Sequence, residues 1–387
     1  MDEESSVKRL AMTRYESAVI RAQQKYPQNS AYVVGFIAMM SNCNDQLLMR
    51  AMQNCHRAFT NLHCSFDNQS KIIDPSLSLP FEISYMPDAS KDDACQIMIQ
   101  EKQTPFDLTK GPLYRLRLVQ TKKTDYFFIV ASHAIMDGYS IYAFFRHLIS
   151  AIRYSRAKQN DIDIMRSVSL KYLPREPVPQ FSEGLFRKID PSQLPYQAIS
   201  QRLRLTHIEN KLPSSAELNS LLQIALSRWL GVKQFSIKHL TLNRRSKTEF
   251  TLLACLADAV TQHVNLSLGS YEQTLCDNET FLGRLSELNS ANSASSAEIV
   301  FCNFSGTFTG LPSDYFQMIP QPAFPHMWGD QVKLKINQHV INGAIELELR
   351  ALCCYVSADM LDSLCDTIVI VNKELSKSDL KKSALVR

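Results

Sequence analysis

Residues 126–138 read YFFIVASHAIMDG, an unbroken apolar run that leads into a short turn. The run 126–132 predicts a strand that is covered on both faces of a sheet. A helix is predicted after the turn, because apolar residues recur there with helical spacing, at Ile141, Phe144, Phe145, Leu148 and Ile149. Strand, tight loop and helix in this order predict an α/β scaffold, and the loop lies where side chains on such scaffolds enter a cleft.

His133 is the candidate catalytic residue of this loop. A neutral imidazole at the end of a buried strand can act as a general base towards a hydroxyl or an amine. Asp137 either orients the imidazole or turns away from it and holds the loop, and Gly138 is expected to permit the sharp exit into the helix. A purely structural histidine is the alternative, because a bare H-x-x-x-D-G string also occurs by chance.

Outward from this loop, strands and helices alternate towards both ends of the chain. On the N-terminal side the pattern predicts helices at 13–26 and after Asn44 and Asp45, and strands at 31–40, 82–86 and 114–120. On the C-terminal side it predicts a helix that starts at the capping box of Ser214 and Glu217, strands at 235–242 and 298–304, and a final helix at 358–373.

This order predicts two lobes of mixed strands and helices. The expected boundaries are 1–170 for the first lobe, 171–199 for a proline-rich crossover and 200–387 for the second lobe. The clearest pairing in the second lobe is a hairpin around Asn342-Gly343, a dipeptide typical of type I′ turns. It sets His339 opposite Glu346 and Val340 opposite Ile345.

The composition is that of an ordinary globular protein and argues against several other classes. Of the 387 residues 45% are hydrophobic and 21% are charged, and the net charge of +4 is too small to indicate nucleic-acid binding. The ten cysteines form no C-x-x-C pair, so we expect no metal site, and reduced thiols in a cytosol. No apolar run is long enough to span a bilayer and the N-terminus resembles no export signal, so we expect a cytoplasmic location.

Two segments of the chain together resemble a known family. His133, Asp137 and Gly138 match the H-x-x-x-D-G signature of the CoA-dependent acyltransferase superfamily, which includes condensation domains, alcohol acyltransferases, polyketide-associated acyltransferases and chloramphenicol acetyltransferase. The stretch 105–115, PFDLTKGPLYR, resembles the P-F-D-L-x-x-G-P-L-x-R segment of condensation-type members, and the two segments have the separation that is usual in the family. Weaker similarity at 47–66, 214–245 and 332–375 extends the resemblance over nearly the whole chain.

The resemblance implies a fold and a set of roles. The implied fold is α/β, with two chloramphenicol-acetyltransferase-like lobes that form a pseudo-dimer with a tunnel between them. His133 is implied to be the general base. Asp137 is implied to face away from it and to pair with an arginine of the second lobe, Arg244 first and Arg245 second. A pair of surface arginines is the alternative interpretation of the last two residues.

Other positions are less specific. Asn303 and Ser305 are candidate oxyanion or substrate contacts in a loose echo of the family's S-N-x-G segment, although such residues also mark strand ends and turns. Ser132 stands where many members have a second histidine, a position that is commonly structural in the family. The D-F-G-W-G segment of plant-type members is absent.

A stand-alone acyltransferase is the function that we expect from these features. The donor is an acyl-CoA or a phosphopantetheine thioester as co-substrate, the acceptor is a small alcohol or amine, and no bound cofactor or metal is required. The alternatives are a condensation domain that forms an amide with an acyl carrier protein as partner, and a non-catalytic binding relative. Because no carrier or adenylation region is attached, CoA is preferred as the donor, and a monomer is expected that neither binds nucleic acid nor spans a membrane.

Overall fold

The computed structural model describes residues 6–67, 69–154, 161–171, 184–205, 212–244, 246–267, 270–285, 297–303, 314–319, 326–327, 332–341 and 344–376. Their elements are, in chain order, β1 (Lys8–Ala11), α1 (Arg14–Lys25), β2 (Val33–Met40), α2 (Asp45–Ala58), β3 (Cys64–Phe66), β4 (Ser70–Ile73), β5 (Phe81–Tyr85), α3 (Lys91–Gln103), β6 (Tyr114–Gln120), β7 (Asp125–Ser132), α4 (Gly138–Tyr154), α5 (Ile162–Lys171), β8 (Ala198–Leu205), α6 (Ser215–Leu230), β9 (Gln234–Thr241), β10 (Asp258–Asn265), α7 (Tyr271–Gly283), β11 (Ile299–Asn303), β12 (Phe316–Met318), β13 (Leu334–Ile341), β14 (Ala344–Leu352) and α8 (Ala358–Ser376). The α/β class that the sequence predicts is therefore confirmed.

The chain divides into two compact units. The first unit comprises Met1–Glu176, Arg244–Ala257 and Thr307–Phe324, and the second comprises Pro177–Asn243, Asp258–Gly306 and Pro325–Arg387. The division departs from the expected boundaries, because two segments of the range 200–387 join the first unit. The segment of β12 belongs to the first unit because β12 pairs with β2, and the segment of Arg244 belongs to it because Arg244 binds Asp137. Within the expected crossover 171–199, the last two residues already belong to β8.

A five-stranded sheet forms the centre of the first unit, in the order β12-β2-β7-β6-β5. β7 lies in the middle and runs antiparallel to both β2 and β6. Its residues 126–132 are all buried, which explains why the sequence is continuously apolar there. Helices α3 and α4 both pack on β2, and α2 packs on α4. The apolar run thus places the loop that follows it at the end of a central, rigid strand.

Local signals in the sequence set the beginnings of several helices. Thr13 caps α1 and Ser214 caps α6, each in a capping box with a glutamate three residues later. Asn44 caps α2 because its side chain accepts a hydrogen bond from the backbone N–H of Leu47. The predicted positions of these three helices are confirmed.

The second unit is built on a six-stranded sheet, in the order β10-β9-β11-β13-β14-β8. β13 and β14 form the predicted antiparallel pair, with His339 opposite Glu346 and Val340 opposite Ile345. The register prediction is confirmed, while Asn342-Gly343 lies outside the described residues. Helices α6 and α8 pack on each other, and their apolar side chains share one core with those of the sheet.

Several elements lie where the sequence gives no clear periodicity. Helices α3 and α7 are mostly polar in sequence, and α5 lies in a stretch for which we predicted no helix. Strands β8 and β10 are the two edges of the six-stranded sheet, so each pairs on one side only. An edge strand that is half exposed keeps many polar residues, which weakens the apolar signal that predicts a strand.

Candidate active site

His133 directly follows β7, the central strand of the five-stranded sheet. Its backbone N–H donates to the carbonyl of Tyr32 at 2.7 Å, so the loop leaves the sheet from a fixed position. The carbonyl of Ser132 then accepts from the N–H groups of Ile135 at 3.1 Å and Met136 at 3.3 Å. Ser132 is fully buried and its carbonyl holds the turn of the loop, so its role is structural.

Within the stretch 131–137, His133 is the residue that solvent reaches. It is partly exposed, whereas the rest of the stretch is buried: Ala131, Ser132, Ala134, Ile135, Met136 and Asp137. The thiol of Cys255 lies beside the ring, with Sγ 3.8 Å from Nδ1 of His133. Nε2, the ring nitrogen that does not make this contact, is the candidate for proton exchange with a substrate.

Asp137 is engaged by the start of α4 and by the segment Arg244–Ala257. Its Oδ1 accepts from Nη2 of Arg244 at 2.9 Å and from the backbone N–H and the hydroxyl of Ser140, both at 2.8 Å. Its Oδ2 accepts from the backbone N–H groups of Leu256 and Ala257, both at 3.0 Å. His133 is not among its partners in the described structure. The expected pairing of Asp137 with Arg244 is present. The carboxylate therefore holds the loop in place and does not orient the imidazole of His133.

The Asp137 carboxyl stays ionised although it is 1% exposed. Burial acts to raise the pKa of this carboxyl, but Arg244 and the hydrogen bonds from Leu256 and Ser140 outweigh burial and hold the pKa below its usual value. The same carboxylate caps α4, because it accepts from the N–H group of Ser140 in the first turn of the helix. The buried Asp137 carboxylate therefore both pairs with Arg244 and caps α4.

The Arg244 guanidinium binds Asp137 and also donates hydrogen bonds to backbone carbonyls of its own segment. Its Nη1 donates to the carbonyl of Glu249 at 2.6 Å, and its Nη2 donates to the carbonyl of Ala254 at 3.0 Å. Its Cζ lies 4.9 Å from the ring centre of Tyr139, a cation–π distance. Arg244 is 6% exposed, so the interpretation of this residue as a surface arginine is wrong.

Gly138 does not have the backbone conformation that we expected to require glycine. Its φ lies outside the left-handed region, and a Cβ built at this position meets no atom within 4 Å. The expectation that glycine is needed for the sharp exit into α4 is therefore wrong. The chain enters the helix with an ordinary backbone because Asp137 caps it.

The motif at 105–115 braces the sheet instead of supplying a reacting group. Arg115 stacks on Phe106, with Cζ 4.0 Å from the ring centre, and donates to the carbonyls of Thr104 and Pro105. Gly111 is packed so closely that an added Cβ would lie 2.3 Å from a methyl carbon of Leu77. The motif thus fixes the approach of the chain to β6, the neighbour of β7.

Three candidate residues lie wholly or partly outside the described residues. Arg245 and Ser305 lie outside the described residues, and Asn303 is the last residue of β11, with its side chain outside the description. The oxyanion or substrate contact expected from Asn303 or Ser305 therefore stays a prediction.

Sequence reasoning missed several groups that build the site. The hydroxyl of Ser140 lies 2.8 Å from the carbonyl oxygen of Ala254 as well as 2.8 Å from Asp137. Cys255 and the N–H groups of Leu256 and Ala257 carry no local motif. An aspartate directly before a predicted helix is a recognisable capping signal, but no local signal shows that a segment more than 100 residues away meets the loop.

Two features are absent from the described part of the chain. It contains no cluster of three or more His, Cys, Asp or Glu side chains that could hold a metal ion. It also contains no helix whose length and apolar character would suffice to cross a membrane.

The comparison with known proteins places this geometry in context. Residues 18–168 match the family model described as the Condensation domain. The structure is similar to the condensation domain of the monacolin K polyketide synthase MokA, with a TM-score of 0.76 over 97% of this chain and 99% of that one at 12% identity. The fold is that of a condensation domain. The resemblance to condensation-type members and the predicted class of two chloramphenicol-acetyltransferase-like lobes are thereby confirmed.

Further matches come from another condensation domain and from peptide synthetases. A starter condensation domain variant of rhizomide synthetase, solved in complex with C8-CoA, has a TM-score of 0.72 over 97% of this chain and 96% of that one at 13% identity. The nonribosomal peptide synthetase kk1B of Curvularia clavata is 44% identical over 62 residues, which are 16% of this chain and a share of the relative that rounds to 0%. A linear gramicidin synthase of Brevibacillus parabrevis is 22% identical over 159 residues, 38% of this chain and 2% of the relative. The chain thus spans only a small part of the length of these synthetases.

Proposed function

We propose that this condensation-type chain transfers an acyl group from a thioester donor to a hydroxyl or an amine, with His133 as the general base. One observation carries the proposal: His133 is partly exposed in a loop that is otherwise buried, and the nearby Asp137 is bound to other groups. A base must meet its substrate, and the loop offers this one side chain to solvent. The match of residues 18–168 to the Condensation domain supports the same class of reaction.

The proposed reaction needs one imidazole. Nε2 of His133 takes the proton of the acceptor while the acceptor oxygen or nitrogen attacks the carbonyl carbon of the thioester. The resulting tetrahedral oxyanion needs a hydrogen-bond donor, whose loss typically costs about 3 kcal/mol. The C–S bond then breaks, and the imidazolium returns the proton to the departing thiolate. Asn303 and Ser305 are the proposed donors, on the family resemblance alone.

Asp137 and Arg244 serve this chemistry through the loop. Because the carboxylate is fully engaged by Arg244, Ser140 and two backbone N–H groups, it does not act as the third member of a relay. Its contribution is to hold the residues that follow His133, and so to fix the place from which the imidazole reaches the acceptor.

Acyl-CoA is the donor that we propose first, and an acyl group on a carrier protein is the second candidate. The starter condensation domain that was solved with C8-CoA supports the first donor. The matches to nonribosomal peptide synthetases support the second, in which the product is an amide. Both donors present a phosphopantetheine thioester, so the role of His133 is the same in either case.

The test is the release of free thiol from acyl-CoA and from the same acyl group on a holo-carrier, with a panel of alcohols and amines as acceptors. His133→Ala should leave the fold intact and lower turnover by roughly 10²–10⁴-fold. His263→Ala is the matched control, because this histidine is exposed on β10 in the second unit, and it should leave turnover unchanged.

Three outcomes decide between the alternatives. Wild-type turnover in a folded His133→Ala protein would refute the assignment of the base. Saturable turnover on the carrier form with none on acyl-CoA would make the carrier the donor and leave the His133 mechanism in place. No thiol release by the wild-type protein in any arm would favour the non-catalytic binding relative.

A further inference from the structure

Asn61 connects the two segments that build the site. It lies in the short 3-10 turn after α2 and is 1% exposed. Its Nδ2 donates to the carbonyl of Ile135 at 3.1 Å and to the carbonyl of Leu253 at 2.8 Å. Ile135 belongs to the loop of His133, and Leu253 belongs to the segment that Arg244 folds. One buried amide group therefore bridges the two segments.

Lys71 sets the direction in which this amide points. Its ammonium donates to Oδ1 of Asn61 at 3.0 Å and forms an ion pair with Glu16. An ammonium group has donors only, so the oxygen of the amide must face Lys71 and both N–H groups must face the carbonyls. The contact with a positive charge also polarises the amide and strengthens the hydrogen bonds that it donates.

The ion pair that orients Asn61 is unusually well buried. The side chains of Lys71 and Glu16 are 0% and 2% exposed. Apolar residues of similar volume often stabilise a protein at least as well as a buried ion pair, because two charges must lose their hydration. Fixing one arrangement of the chain is a role that this ion pair can fill whether or not it adds to stability.

We propose that Asn61, oriented by Lys71 and Glu16, is a positioning residue that sets the place of His133. The inference rests on the proposed function, since it concerns the base of that reaction. Asp137 ties the loop to the Arg244–Ala257 segment at one end through the N–H groups of Leu256 and Ala257. Asn61 ties the middle of the loop to the same segment. With two ties the loop cannot pivot about either of them.

Asn61→Asp tests the inference with almost no change of shape. The new carboxylate can pair with Lys71, but it presents an acceptor to the carbonyls of Ile135 and Leu253 and so breaks both ties. We expect kcat to fall by about 10–10²-fold with KM nearly unchanged, as a small misplacement of a catalytic group does. We also expect the ring ¹H–¹⁵N signals of His133, assigned by their loss in His133→Ala, to shift.

Gln23→Met is the matched control for a general loss of stability. Gln23 is buried in α1 and donates to the carbonyl of Phe106 at 3.1 Å, and neither residue belongs to the loop of His133 or to the Arg244–Ala257 segment. This variant should lower Tm but leave kcat and the His133 signals in place. Equal losses of kcat in Gln23→Met and Asn61→Asp at the same loss of Tm would overturn the inference, since both would then report stability alone.

A second variant keeps the test decisive if Asn61→Asp does not fold. The double variant Glu16→Gln with Lys71→Met removes both charges and keeps Asn61, but the amide loses the contact that orients it. Shifted His133 signals with a smaller loss of kcat are expected, and signals identical to those of the wild type would overturn the inference. If the wild-type protein shows no turnover at all, the proposed function fails while the ring signals still decide whether Asn61 positions His133.

Discussion

Replacing Asp137 by asparagine tests how the loop of His133 is held. Both carboxylate oxygens accept hydrogen bonds: Oδ1 from Arg244 and Ser140, and Oδ2 from the N–H groups of Leu256 and Ala257. Asparagine has nearly the same shape, but one of its terminal groups is an NH₂, which is a donor. Whichever way the new side chain points, its NH₂ faces N–H groups, so buried donors lose their acceptor.

The expected loss of stability is large for a change of so few atoms. Each hydrogen bond to a charged group contributes about 1.5–3 kcal/mol, and at least two are lost. Breaking one side of a buried ion pair costs about 3–5 kcal/mol by itself. These figures describe overlapping contacts and do not add, so we expect the free energy of unfolding to fall by about 3–5 kcal/mol. Asp137→Ala should lose at least as much.

The loss has a pH dependence of definite sign. Although burial raises the pKa of Asp137, Arg244 and the hydrogen bonds hold it below the ordinary value of 3.8. The native state therefore binds this proton more weakly than the unfolded state, and the stabilisation is complete above about pH 5. It is lost as the pH falls through the native pKa. The difference between the wild type and Asp137→Asn should shrink as the pH falls below the ordinary value.

Urea unfolding followed by circular dichroism at pH 7 measures the change, with thermal unfolding as a second readout. Asp88→Asn is the control, because this carboxylate is exposed and pairs with Lys122 at the surface. It should unfold together with the wild type. An Asp137→Asn protein that unfolds at the wild-type urea concentration would refute the reasoning, as would a loss of activity without any loss of stability.

Two glycines and one histidine give further predictions. Gly111→Ala should lower the free energy of unfolding by about 1–3 kcal/mol, because the added Cβ would lie 3.1 Å from the backbone carbonyl oxygen of Cys64 as well as 2.3 Å from a methyl carbon of Leu77. Gly138→Ala should leave Tm unchanged, because a Cβ added there meets no atom within 4 Å. Equal urea midpoints for these two variants would contradict this. Burial lowers the pKa of His239 to about 4, although its hydrogen bond to Gln262 acts to raise the pKa. The unfolded state binds this proton first, so His239 should contribute a loss of about 2 kcal/mol of stability between pH 7 and pH 5. His239→Gln should reduce that loss in urea unfolding at the two pH values, and an unchanged loss would contradict the assignment.

Elements with a strong local signal are those that the sequence predicts well. The apolar run before His133 indicates a central strand because both faces of β7 are buried. The capping boxes at Thr13 and Ser214 locate helix starts within one residue, since the capping hydrogen bonds join groups three residues apart. The sequence does not predict β8 and β10, the strands at the edges of the second sheet. Each pairs on one side only, so it can keep polar residues that weaken the apolar pattern of a strand.

The candidate site divides in the same way. His133 and Asp137 are recognisable in the sequence because these two residues and Gly138 stand in one loop and together carry the motif. The true surroundings of Asp137 are not, since Leu256 and Ala257 donate only backbone N–H groups, which every sequence has. Arg244 could be named as the partner only through the family resemblance, and the surface alternative was equally open until its burial was known.

The strand, the loop and the helix around His133 follow from the local sequence, because apolar periodicity and capping act between residues that are close along the chain. Long-range packing is what turns Asp137 to Arg244 and lets Asn61 join Ile135 to Leu253. These bonds link residues that lie 74 to 192 positions apart. A buried polar group must find a partner, but which distant partner it finds depends on the packing of the whole sheet and its helices, and no local pattern records that choice.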